Sequence, residues 1–261
     1  MPHAPVDAGE LHYEITGSGP PLVLAAGLGG LGSFWQLQLA SLAQRFTVLT
    51  YDHRGSGRST RSPPPYSIDR MTEDALALLD CVGFGAVRFV GHSTGGVIGQ
   101  CLAHRDPARI ERLVLSATWT HADPYFQRLF SLRRDIMVAD ECELYNRLAT
   151  LLLYPPDWIA AHDDELVATG PPLTRLDRDI VVGKIDALLA FDGRARLPRV
   201  RCPTLVVGAR DDMTVPSYFS VALAQAIPCA RLSVLDSGGH YFPITRAQQF
   251  GALVLDFLTP P

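Results

Sequence analysis

Short apolar runs alternate with longer amphipathic stretches along this chain. Residues 22–26 are apolar and bounded by Pro21 and Gly27, the pattern of a buried strand. Residues 47–51, 87–90, 110–116, 204–207 and 231–235 are likewise short and apolar or β-branched, and predict further strands. Between them, Phe34, Leu37 and Leu42 recur at helical spacing and predict a helix over 33–45. Ile68, Met71, Leu76, Leu78 and Leu79 predict another over 67–81, and segments 97–104, 215–227 and 246–258 read the same way. Strand alternating with helix is the signature of an α/β domain, a mostly parallel sheet covered by helices on both faces.

One segment breaks the alternation. Residues 119–197 contain no convincing strand, are rich in Leu, Arg, Asp and Tyr, and are interrupted at Pro155-Pro156 and Pro171-Pro172. They read as a helical insertion between two strands. Surface helices would explain the pattern, but an insertion leaving and re-entering a sheet suits a cap over a pocket better. The expected organisation is a core of residues 1–118 and 198–261 with a helical cap over 119–197.

Composition narrows the function. At 261 residues the chain is long enough for one large domain with a well-buried core. The net charge of −4 implies no basic face, so nucleic acid is not an expected partner. No apolar run reaches the roughly 18 residues of a membrane span, and the first residues lack the pattern of a secretory signal. The five cysteines, Cys81, Cys101, Cys142, Cys202 and Cys229, are scattered without a CxxC pair. They read as reduced thiols of a cytoplasmic protein, not as a metal site or a disulfide framework. A small-molecule substrate is the expected partner, no metal or cofactor is called for, and the chain is expected to act as a monomer or homodimer.

The candidate chemistry starts at Gly91-His92-Ser93-Thr94-Gly95, which fits G-x-S-x-G. A predicted strand precedes it and a predicted helix follows. That context lifts a serine hydroxyl above the sheet on a strained turn, which closes only if its neighbours are small. A serine needs a base to take its proton, and on such an elbow the partners follow in the order serine, acid, histidine. His240 qualifies, because it follows a predicted strand and the turn Ser237-Gly238-Gly239. The other histidines fit less well. His3, His12 and His53 precede the serine, His121 and His162 fall in the insertion, His104 ends a helix, and His92 adjoins the serine. The acid should end the preceding strand, where Asp211 and Asp212 are both available. Oxyanion donors are expected from the backbone N–H groups of Leu28, in the loop Ala26-Gly27-Leu28-Gly29-Gly30, and of Thr94. That loop lacks the GxGxxG spacing of a dinucleotide site, and no Walker lysine follows it.

Together these residues resemble the α/β-hydrolase superfamily over nearly the whole chain. The segment Tyr51-Asp52-His53-Arg54-Gly55-Ser56-Gly57-Arg58-Ser59 is similar to a superfamily stretch that shapes a loop near the pocket. More narrowly, the chain resembles the D-protein family of the Rut pyrimidine-utilisation pathway. The resemblance is carried by Gly27-Leu28-Gly29-Gly30-Leu31-Gly32-Ser33-Phe34-Trp35, by Leu153-Tyr154-Pro155-Pro156-Asp157-Trp158, by Arg201-Cys202-Pro203 and by Ser237-Gly238-Gly239-His240. It implies an α/β-hydrolase fold and hydrolysis of a small C–N compound, carbamate or aminoacrylate, by a triad of Ser93, His240 and Asp212. Asp212 is preferred to Asp211 because in similar hydrolases the acid stands four residues before the proline opening the next helix, here Pro216. An esterase, an enol-lactone or carbon–carbon bond hydrolase of aromatic breakdown shares these motifs, and a small-ligand receptor shares the fold. Trp35, Trp119, Tyr154 and Trp158 are the candidate pocket residues, with core packing as the plainer alternative. Arg133 or Arg134 could meet a substrate carboxylate, although a solvated helix face is the stronger expectation for both.

Overall fold

The computed structural model describes residues 2–166 and 173–259. Its strands are β1 (His3–Val6), β2 (Gly9–Thr16), β3 (Pro21–Ala25), β4 (Thr47–Tyr51), β5 (Val87–His92), β6 (Ile110–Ser116), β7 (Thr204–Ala209) and β8 (Ala230–Leu235). They form one sheet in the order β1-β2-β4-β3-β5-β6-β7-β8. The pairs β1/β2 and β2/β4 are antiparallel, and every later pair is parallel.

Alternation of side chains fixes the two faces of the sheet. On β3, Val23 and Ala25 join one apolar cluster while Leu22 and Leu24 join the other. Val206 and its neighbours Leu205 and Val207 divide in the same way on β7. The first face packs against α2 (Ile68–Cys81), α3 (Thr94–Arg105) and α9 (Ser217–Ala226), and the second against α1 (Gln36–Leu42) and α11 (Ala247–Leu258). Buried on both faces, the central strands read as continuous apolar runs, which is why the pattern exposed them.

The expected helix over 33–45 is shorter than its periodicity suggests. A 3-10 turn over Gly32–Trp35 precedes α1, which ends at Leu42. The helix expected over 97–104 instead begins at Thr94, immediately after the serine. Strands β1 and β2 carry no recognisable apolar run. β1 is the edge strand and β2 lies next to it, with half of its residues exposed, so β2 offers little apolar periodicity.

Between β6 and β7 the chain forms the insertion helices α4 (Pro124–Val138), α5 (Cys142–Leu153), α6 (Pro156–Ala161), α7 (Asp163–Leu166) and α8 (Arg175–Leu189). Local chemistry sets their starts. The Asp123 carboxylate accepts the N–H of Phe126, and Pro124 occupies the first turn, where no N–H is needed. Thr174 and Asp177 cap α8 reciprocally. Pro156 opens α6, whereas Pro171-Pro172 lies outside the described residues. An antiparallel bridge, His121 to Asp192, ties the two ends of the insertion.

The order of the strands also creates the site. From β3 the chain passes to β4 on one side, then crosses to β5 on the other. The loops after β3 and β5 therefore part at the carboxyl ends of adjacent strands, where a crevice opens. Leu24 is fully buried at the middle of this sheet, whereas Leu151 of α5 is 65% exposed. Leu24→Ala should lose about 3 kcal/mol of stability in urea unfolding, and Leu151→Ala about 0.5 kcal/mol or less.

Candidate active site

Ser93 is the one residue between β5 and α3, and its backbone is strained. Its φ of 53° and ψ of −114° lie where non-glycine residues are rarely found. Its N–H donates to the Ser116 carbonyl at 2.8 Å, while its own carbonyl accepts the Thr118 hydroxyl at 2.8 Å and the Gly96 N–H at 2.9 Å. The flanking glycines serve close approach. A Cβ on Gly91 would meet the Gly95 carbonyl, and one on Gly95 would meet the carbonyl of Ala25. The turn thus presses directly against the end of β3 and its following loop.

His240 stands in the loop between β8 and α10 (Phe242–Thr245), and Asp212 in the loop after β7. His240 Nδ1 and Asp212 Oδ2 are 2.8 Å apart, and both residues are buried. The other Asp212 oxygen accepts the N–H groups of Thr214 and Val215, each at 2.8 Å, which fixes the carboxylate's orientation. Asp211 does something different. Its two oxygens accept the N–H groups of Gly238 and Gly239 at 3.0 and 2.9 Å, clamping the turn that precedes His240. One aspartate faces the imidazole and the other holds its loop.

The loop after β3 passes beside Ser93, for a Cβ on Gly27 would lie 3.3 Å from the serine Cβ. The segment after β4 shapes that loop through several hydrogen bonds. Asp52 Oδ1 accepts the Gly32 N–H at 2.9 Å, the His53 N–H donates to the Gly30 carbonyl at 2.7 Å, and the Ser56 hydroxyl donates to the Gly29 carbonyl at 2.7 Å. Among the described residues, the N–H groups of Leu28 and Thr94 have no acceptor within the protein. Thr94 also opens α3, so its N–H belongs to the positive end of a helix dipole.

These elements surround a cavity of about 550 Å³. Ser93, His240, Leu28, Phe34 and Tyr241 line it from the core, and Arg133, Tyr145, Leu153 and Lys184 from the insertion. The four aromatic candidates do not line it. Trp35 is wholly buried beneath it, parallel to Phe250 and edge-on to His92. Trp119 is wholly buried against Phe126, with its carbonyl held by Gln100. Tyr154 and Trp158 stack on each other, and Tyr154 packs against Tyr241 beside the histidine. In each case a flat apolar ring gains more from packing on another ring than from facing an open cavity.

Arg133 also departs from expectation. It is only 5% exposed and lines the cavity, whereas its neighbour Arg134 lies on the outer surface among Asp135 and Asp186. Adjacent residues on a helix point about 100° apart, so one faces inward and the other outward. Lys184 on α8 was not singled out in the sequence, where it occupied an ordinary helical position. It is buried at the cavity and donates to Ser56 Oγ at 2.5 Å.

Burial dominates the titration of the surrounding groups. It pushes His53 down to about 3, with the charge of Lys184 adding to the effect. His92, wedged against Phe34 and His240, is likewise held well below its ordinary value by burial. Among the described residues no cluster of three His, Cys, Asp or Glu forms a metal site. No helix among them is long and apolar enough to cross a membrane.

Comparison with known proteins places this geometry in a family. The alpha/beta hydrolase fold family model matches residues 20–151. The chain belongs to the α/β-hydrolase family. Along its whole length it is similar to "Putative carbamate hydrolase RutD" of Azorhizobium caulinodans, at 40% identity with 98% of each chain covered. The protein of the same name from Stutzerimonas stutzeri is 38% identical, over 95% of this chain and 96% of the other. Among solved structures, the enol-lactonase from Burkholderia xenovorans LB400 superimposes with a TM-score of 0.92 at 32% identity, covering 99% of this chain and 100% of that one.

Lys184 supplies a test of the cavity's electrostatics. Burial, reinforced by the charge of Arg61 and opposed by Asp52, pushes its ammonium down from 10.5 to about 7. The unfolded chain therefore binds more protons between pH 7 and 10.5, and stability rises with pH across that window. Lys184→Met should abolish that rise and stabilise the protein at pH 7 by about 1 kcal/mol or more. Urea unfolding at several pH values measures both effects.

Proposed function

We propose that the protein is a serine hydrolase acting on a small C–N compound of pyrimidine breakdown. The observation that carries this reading is that His240, paired with the buried Asp212, lines the same cavity as Ser93, which sits on a strained strand-to-helix turn. Full-length likeness to the carbamate hydrolase relatives supports the choice of substrate. In this reading the insertion serves as the cap, and Asp212 holds the imidazole in the tautomer whose Nε2 can take the hydroxyl proton. Asp211 acts on the loop rather than on the ring.

With a carbamate, Ser93 Oγ attacks the carbonyl carbon as His240 accepts its proton. The N–H groups of Leu28 and Thr94 stabilise the oxyanion. Collapse breaks the C–N bond, the proton passes from His240 to the departing nitrogen, and ammonia leaves. Water then attacks the carboxyl carbon on Ser93, breaking its bond to Oγ, so that bicarbonate leaves and the serine hydroxyl is restored. Aminoacrylate has no acyl leaving group. There His240 assists addition of water to the imine tautomer, and loss of ammonia from the resulting carbinolamine leaves an aldehyde acid. The Burkholderia enol-lactonase likeness favours a second reading, ring opening of a lactone by the same residues.

Ammonia release from carbamate and aminoacrylate tests the proposal, with lactone hydrolysis run in parallel. Ser93→Ala should lose at least about 10³-fold in kcat, and equal ammonia release by both proteins would remove the Ser93 mechanism. Asp212→Asn should lower kcat about 10⁴-fold without unfolding the protein. Asp211→Asn should lower it far less and cost stability through the Gly238-Gly239 turn, as thermal unfolding would reveal. A fluorophosphonate that labels Ser93 in the wild type would count against a receptor without activity.

A further inference from the structure

Arg133 is a charge without an anion. Its Nη2 donates to the Tyr145 hydroxyl at 2.8 Å, and the rings of Phe130 and Tyr145 lie 5.1 and 4.9 Å from its guanidinium carbon. Its Nε–H is buried with no partner. No ion pair involves it among the described residues, although its neighbours Arg134 and Arg178 both have carboxylates. The carboxylate found in the cavity lining among the described residues, Asp177, is already paired with Arg61. Lys184 lines the same wall. A buried guanidinium that satisfies only part of its donor fork is costly unless an anion completes it. Its planar, fixed fork of donors matches the two oxygens of a carboxylate.

We propose that Arg133, steadied by Tyr145 and stacked on Phe130, binds a carboxylate of the substrate that is separate from the carbon being attacked. The inference rests on the hydrolase reading and narrows its substrate class. A carbamate has a single carboxyl group, which is itself the reacting centre and cannot occupy both ends of the cavity. Aminoacrylate carries a carboxylate apart from its C–N bond, and so does a carboxylated lactone or ester. The site therefore selects a short, bifunctional substrate with its carboxylate under the insertion and its reacting carbon at Ser93. Arg133 is thus a specificity residue contributed by α4.

The test compares hydrolysis of mono-para-nitrophenyl succinate with that of neutral para-nitrophenyl butyrate. The proteins are the wild type, Arg133→Gln, Arg133→Lys and the outward-facing control Arg134→Gln. Arg133→Gln should lose about 30-fold in kcat/KM on the charged ester, mostly through KM, and less than about 3-fold on the neutral one. Arg133→Lys should recover part of the loss, and Arg134→Gln should change neither rate. Equal losses on both esters, or retained preference for the charged ester in Arg133→Gln, would overturn the assignment. Fluorophosphonate labelling of each protein reports separately on Ser93. Should the wild type neither label nor turn over an ester, the hydrolase reading fails while calorimetric binding of succinate still decides the role of Arg133. Binding about tenfold weaker in Arg133→Gln supports it, whereas equal binding or none by the wild type overturns it.

Discussion

The strained backbone of Ser93 is the constraint on which the rest of this molecule depends. A non-glycine residue with a φ of 53° and ψ of −114° stores on the order of 1–3 kcal/mol. It persists because its surroundings over-determine it. The N–H is tied to β6, the carbonyl is tied to Thr118 and the start of α3, and Gly91 and Gly95 let three backbone segments converge with no side chain between them. A turn held this tightly gives the hydroxyl a fixed origin, against which the neighbouring loops are set.

Those loops are held by a set of hydrogen bonds, several of them accepted by carboxylates outside the cavity lining. Asp211 holds the glycine turn before His240, while Asp212 holds the imidazole. Asp52 and Ser56 shape the glycine loop after β3. The insertion joins this system as well. The Thr214 hydroxyl donates to the Leu152 carbonyl, and the Tyr241 N–H donates to the Leu153 carbonyl. Tyr154 then packs on Tyr241. The stretch 153–158, by which the chain most resembles a narrow group of hydrolases, therefore rests on the loop that carries His240. Its aromatics support the site from outside the cavity.

Burial divides the charged groups near the cavity into two kinds. His53 and His92 stay neutral because desolvation outweighs any benefit from protonation. Burial also draws the Lys184 ammonium down to about 7, whereas the Arg133 guanidinium keeps one neutral hydrogen-bond acceptor and faces the open space between core and insertion. The wall opposite the core is cationic as a result, although the chain as a whole carries a net charge of −4. Overall charge says little about a cavity, because exposed charges are screened by water and enclosed ones are not.

The sequence by itself determined what depends on neighbours along the chain. The central strands were legible because both their faces are buried, the start of α3 was foreshadowed by a glycine-flanked serine, and the two aspartates and His240 stood at strand ends. Strands β1 and β2 escaped notice because solvent takes the place of apolar partners on much of β2. Only the tertiary structure decided between Asp211 and Asp212 as the partner of the imidazole, because adjacent residues in a loop can point to different neighbours. It also turned Arg133 inward and Arg134 outward, and brought Lys184 from α8 to Ser56, 128 residues away in the chain. The aromatic residues were misplaced for the same reason. A tryptophan looks alike in sequence whether it packs beneath a cavity or lines it, and only the packing of distant elements settles which surface it meets.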